Sequence, residues 1–124
     1  MQNRDMTTFE TTIQLASLSG QGEVEIGALV DTGAFYSILP SSVLDGIGVQ
    51  RVGESRFVFA DGRTEEMDIG FAFVALNGGR SVPTIVAFGV EEAQPLLGAY
   101  ALEGLELMVD PRGEQLVPRG LLHA

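Results

Sequence analysis

The chain has 124 residues, 17 acidic against 7 basic, a formal net charge of −10 and 45% hydrophobic content. That length fits one domain with a single core, and the shortage of cations argues against a nucleic-acid partner, whose phosphates require a basic surface. Cys and Lys are absent and His123 is the sole histidine, so thiol catalysis, disulfides, thiolate zinc sites, a Walker-type phosphate loop, a lysine Schiff base and a Ser-His-Asp triad are all disfavoured.

Carboxylates remain as the main catalytic candidates. The longest apolar run, "VPTIVAFGV", is interrupted by Pro83 and falls well short of the roughly 20 residues that span a bilayer. The polar opening "MQNRDMTTFE" lacks the basic-then-apolar layout of a signal peptide, so a cytoplasmic location without a membrane partner is expected.

In chain order, "TFETTIQLAS" puts Phe9, Thr11, Ile13 and Leu15 on one face, the alternation of a strand. "LSGQGE" makes a Gly-rich turn into "VEIGALVD", a second strand that ends at Asp31. Running an apolar strand into a carboxylate is costly unless the charge is paired or used. At this point Asp31 reads as a turn residue, a helix cap or a catalytic group. "SSVLDGIG" predicts a short helical turn, begun by Ser41 or Ser42 as N-cap and stopped by Gly46 or Gly48.

"SRFVFADGRTEEMDIGFAFVAL" predicts a hairpin closing on Asp61-Gly62, a pair suited to a type I′ turn. Asn77-Gly78 supplies a second hairpin turn before the strand "SVPTIVAF". "EEAQ" is a polar loop, "PLLG" an apolar run and "AYALEGL" a short helix; "LELMVD", "PRG" and "EQLVP" form a terminal hairpin. "LVPRG", Leu116 to Gly120, resembles a thrombin-cleavable linker without the usual following Ser, and reads as the end of the last strand. Glu65-Glu66 and Glu91-Glu92 read as solvated loops. The whole is an all-β single domain over residues 1–124, a small closed β-barrel with one short C-terminal helix.

"ALVDTGAFYSILP" carries Asp-Thr-Gly after an apolar strand and before a second apolar run. It resembles the active-site signature of aspartic proteases. Downstream, "PLLGAYALEGL" resembles the second signature of retropepsin-like enzymes, and the Asp61-Gly62 hairpin falls where that family places its flap. The ordered set covers about residues 8 to 118 and is similar to a single-domain retropepsin-like protease of the microbial type, related to retroviral proteases.

The resemblance implies a retropepsin-like acid-protease barrel, with Asp31, Thr32 and Gly33 as the catalytic set. Asp31 would work with a water, Thr32 would lock two motif loops together, and Gly33 would admit substrate backbone without a Cβ in the way. Ser37 is the small hydroxyl expected later in the loop. Ala34, Phe35 and Tyr36, with Ala60, Asp61 and Gly62 of the hairpin, would contact a peptide or protein substrate. Leu96, Leu97 and Gly98 would form core beneath the loop. No metal or cofactor is implied.

The chain holds a single Asp-Thr-Gly and no Asp-Ser-Gly, so the resemblance implies a homodimer with one catalytic Asp per protomer. The terminal segments, residues 1–12 and 112–124, are candidate interface strands, and other faces of the barrel could serve instead. Retroviral members pair acidic residues after the motif with an Arg after the downstream Gly; here those positions hold Phe35, Tyr36 and Ala99. Both halves of that ion pair are missing together, which implies a more apolar cleft. It also leaves a second reading open, a non-catalytic dimeric peptide-binding module on the same barrel.

Overall fold

A computed structural model gives the structure of residues 8–110, 112 and 114–120. The strands are β1 (Thr8–Ser17), β2 (Glu23–Asp31), β3 (Ser37–Pro40), β4 (Arg51–Val58), β5 (Thr64–Leu76), β6 (Val82–Gly89), β7 (Leu96–Leu97), β8 (Leu107–Asp110) and β9 (Gln115–Pro118). Two short helices, α1 (Ser41–Gly46) and α2 (Ala99–Gly104), join them. Pairing runs β1-β2-β7-β3-β6-β5, and β5 returns to β1, so six strands form a barrel-like ring, with β4 carried outside it on β5. No helix among the described residues is long and apolar enough to cross a membrane.

The alternation of β1 accounts for its place. Ile13 and Leu15 point inward and are essentially fully buried, opposite Ile26 and Val24 of β2. Val30, Leu39, Leu44, Val74, Val86 and Leu97 complete the same core. Each such side chain contributes about 1.5–3 kcal/mol by leaving water. β8 and β9 form a separate hairpin whose Leu107, Val109 and Leu116 lean on that core. Leu116–Pro118 lie in β9, as the strand-end reading expects, while Pro111 and Gly113 of the "PRG" turn fall outside the described residues. So do residues 1–7 and 121–124 of the candidate interface segments.

One edge of β5 serves two partners in turn, β4 from Thr64 to Gly70 and β1 from Ala72 to Leu76. Its other edge meets β6 only from Ile69 onward. The residues before Ile69, with the part of β4 opposite them, therefore stand out as a two-stranded arm.

Three local expectations are corrected. Glu65 and Glu66 are not in a loop but in β5, paired with Phe57 and Arg56 of β4. Neither Ser41 nor Ser42 is the N-cap of α1; that position is Pro40, with no side-chain cap. Each hydroxyl has a better acceptor elsewhere, since Ser41 Oγ donates to Gly89 O at 2.9 Å and Ser42 Oγ donates to the Glu91 carboxylate. Gly48, at φ +89°, takes the left-handed turn just past the helix.

The Asp61-Gly62 turn is not type I′. Gly62 has φ +87° but Asp61 does not share a positive φ, and Gly62 N–H donates to Phe59 O at 2.8 Å. This is a type I turn over Ala60-Asp61 followed by a left-handed glycine, the three-residue hairpin with a bulge. Asp61 keeps an ordinary φ because its carboxylate accepts the Arg63 backbone N–H at 2.9 Å. Type I′ geometry occurs instead at Asn77-Gly78, where φ is +52° and +72°.

Candidate active site

β2 ends at Asp31, and the chain reverses at once because Ala34 N–H donates to Asp31 O at 3.1 Å. The Asp31 side chain is 1% exposed, and its Oδ1 accepts the Gly33 backbone N–H at 2.9 Å. Thr32 and Gly33 are themselves exposed. The turn thus buries a carboxylate while presenting the following two residues to solvent.

What holds the loop in place comes from the other end of the chain. Ala99 N–H donates to Ala34 O at 2.8 Å and Tyr100 N–H to Phe35 O at 3.0 Å. Gly98 N–H donates to Ser37 Oγ at 3.0 Å, and Ser37 is buried. Leu29 N–H donates to Pro95 O at 2.8 Å, which seats β7 beside β2. The first turn of α2, whose N–H groups lack helical partners, is therefore satisfied by the carbonyls of the Asp31 loop.

A cavity of about 420 Å³ lies between this loop and the arm. Gly33, Ala34, Phe35 and Tyr36 line one side and Ser55–Ala60 the other, with Ile38 and Leu96 at the base. The structure thus gathers five of the residues nominated from sequence: Gly33, Ala34, Phe35, Tyr36 and Ala60. Asp31 and Thr32 sit at the start of the same loop, outside the lining. Asp61 and Gly62 lie past it, exposed at the tip of the arm.

The Asp61 carboxyl is held below its ordinary range, first by the Arg63 backbone N–H and then by the Arg63 charge. It is a turn-stabilising group. The sequence reading missed Ile38, Ser55, Arg56, Phe57, Val58 and Phe59, although the alternation of Phe57 and Phe59 was an available signal. Of the residues expected as core beneath the loop, Leu97 is fully buried, while Leu96 is half-buried and lines the base of the cavity.

Four rings gather at the cavity wall. Tyr36 lies 5.1 Å from Phe35, 5.9 Å from Phe57 and 6.4 Å from Tyr100, the last two edge-on, and Phe35 meets Tyr100 at 5.7 Å. Phe35 is 62% exposed. A smaller crevice of about 200 Å³ bordered by Leu18, Val52 and Phe71 contains no ionisable residue. Among the described residues, no three His, Asp or Glu side chains come together as a metal ion would require.

No family model and no curated protein matches the chain. Solved structures do. EIAV protease, determined with the inhibitor HBY-793, superimposes with a TM-score of 0.57 and 20% identity over 94% of this chain and 98% of that one. A foamy viral protease-reverse transcriptase, determined with an RNA/DNA hybrid, gives a TM-score of 0.53 and 15% identity over 75% of this chain, which corresponds to 11% of the longer viral chain. With the ring of strands, the arm and the buried aspartate turn in place, these likenesses establish that the chain has the retropepsin-like fold.

Proposed function

We propose that the chain is an aspartic endopeptidase that works as a homodimer, Asp31 of each protomer forming half of the catalytic pair. The observation that carries this reading is the buried Asp31 carboxylate on a turn that continues, from Gly33 on, as one wall of a peptide-sized cavity. Two carboxyls held about 3 Å apart cannot both ionise, so the pair shares one proton. The ionised member takes a proton from water as the water oxygen adds to the scissile carbonyl carbon. The protonated member gives its proton to the carbonyl oxygen. When the tetrahedral diol collapses, the C–N bond breaks, the nitrogen takes a proton from one carboxyl and a diol hydroxyl returns one to the other. The pair is left singly protonated again.

An extended substrate suits the cavity. Six consecutive residues, Ser55–Ala60, border it, whereas alternate residues of a strand point to opposite faces. The cavity therefore runs along the edge of β4, and among the described residues that edge is the unpaired end of the sheet. Such an edge offers backbone groups to an added strand.

The test is digestion of a proteome-derived peptide library at several pH values, with Asp31→Asn beside the wild type. Loss of the base typically costs about 10²–10⁴-fold or more, while the near-isosteric amide keeps the fold. Asp61→Asn is the control and keeps most activity. Phe35, Tyr36 and Ala99, where charged residues pair in retroviral members, favour the binding-module reading. Wild-type protein that binds a statine peptide but turns over no peptide between pH 4 and 8 would establish that second reading instead.

A further inference from the structure

The Tyr36 backbone has little freedom. A Cβ on Gly98 would lie 2.6 Å from Tyr36 O, and the preceding carbonyls of Ala34 and Phe35 accept the first amides of α2. Moving Tyr36 therefore means lifting α2. Its ring extends from this anchored loop to Phe57 of the arm, edge-on at 5.9 Å, and is flanked by Phe35 and Tyr100.

The arm has weaker constraints of its own. Before Ile69 it has no second partner strand among the described residues, and its inner face packs through Phe57, Phe59 and Met67 against a small cluster with Ile38, Ala87 and Leu96. Apolar packing of that kind is non-directional, so it resists lifting more than sliding. An edge-to-face ring contact has a preferred geometry.

We propose that Tyr36 is a strut, a positioning residue that acts through Phe57 to hold the arm at a fixed height over the Asp31 loop and so sets the depth of the cavity. Its kinetic consequence rests on the peptidase reading; the strut itself does not. A wall built on a fixed backbone excludes side chains that need more depth. A ring at position 36 is required, but its hydroxyl is not.

Hydrogen exchange read by mass spectrometry tests this on the intact protein, comparing peptides from the arm (residues 54–68) with peptides from β1. Tyr36→Ala should speed exchange in the arm about two- to tenfold, the factor that one ring contact is worth, and leave β1 unchanged. Tyr36→Phe should match the wild type, and Phe57→Leu, which removes the ring from the other side, should reproduce the Ala variant. Unchanged arm exchange in Tyr36→Ala, or equal acceleration in arm and β1, overturns the strut. On a peptide the wild type cleaves, the loss in kcat/KM should fall on KM and be restored in Tyr36→Phe. A loss in kcat alone overturns the role in setting depth. If the wild type cleaves nothing, the peptidase reading fails while the exchange result still decides the strut.

Discussion

A methyl group at Gly98 would meet the carbonyl oxygen of Tyr36 at 2.6 Å and that of Phe35 at 2.8 Å. Both are backbone atoms, and Phe35 O already accepts the Tyr100 amide, so neither has an easy way to give. Gly98→Ala should therefore cost about 1–3 kcal/mol, as overpacking usually does, and should loosen the Asp31 loop with it. Urea titration measures the stability loss. Gly27, in β2, is the matched control, because a Cβ there meets nothing within 4 Å. Gly27→Ala should be close to neutral. If both variants behave alike, the close approach of the two segments is not what selects glycine at 98.

At the scale of elements, α1 is tied to the β6–β7 connection by one carboxylate. Glu91 accepts both the hydroxyl and the backbone N–H of Ser42, and these bonds, the side-chain one first, hold its carboxyl below the ordinary range. A carboxyl whose folded-state pKa is depressed contributes stability that is fully present above its unfolded pKa, about 4.3. That contribution disappears as pH falls through the lower, folded value. Glu91→Gln should thus lower Tm near neutral pH, and the gap to the wild type should close at acid pH, where both side chains are uncharged. A gap that stays constant or widens on acidification would mean the carboxylate charge is not what tethers the helix. The exposed position keeps the effect small.

For the whole molecule, the central fact is that each chain supplies one Asp-Thr-Gly. Activity should rise more than proportionally with protein concentration and vanish below the dimer dissociation constant, with size-exclusion and light scattering reporting the assembly. A monomer that cleaves peptides would rule out the shared pair. The rate should also be bell-shaped in pH, because the proposed mechanism requires one proton shared between two carboxyls. A maximum on the order of pH 4–6 is expected by analogy with shared-proton pairs. The charge of −10 per chain raises carboxyl pKa values, but surface charges are screened beyond about 8 Å at physiological salt. The Gly33 N–H on Asp31 Oδ1 acts the other way, favouring the ionised form. A flat profile from pH 4 to 9 would point to a contaminating peptidase.

Much of this protein was determined by local sequence. The alternation in β1 and β2, the strand ending at Asp31 and the left-handed glycines all follow from period and backbone freedom within a few residues of one another, whereas the first turn of α2 takes its partners from Ala34 and Phe35. Other features depended on partners distant in the chain. Ser41 and Ser42 have the composition of N-caps, yet Gly89 and Glu91, brought near by the β3–β6 pairing, supplied better acceptors. Nearer in the chain, Asp61-Gly62 was suited to one turn and adopted another once Arg63, two residues on, offered its amide. The cavity is the clearest case, since Tyr36 and Phe57 carry no mutual signal in sequence. Local propensity acts over one turn or one pleat, whereas a site forms where elements remote in sequence compete for the same surface, and only the closed ring of strands decides which of them meet.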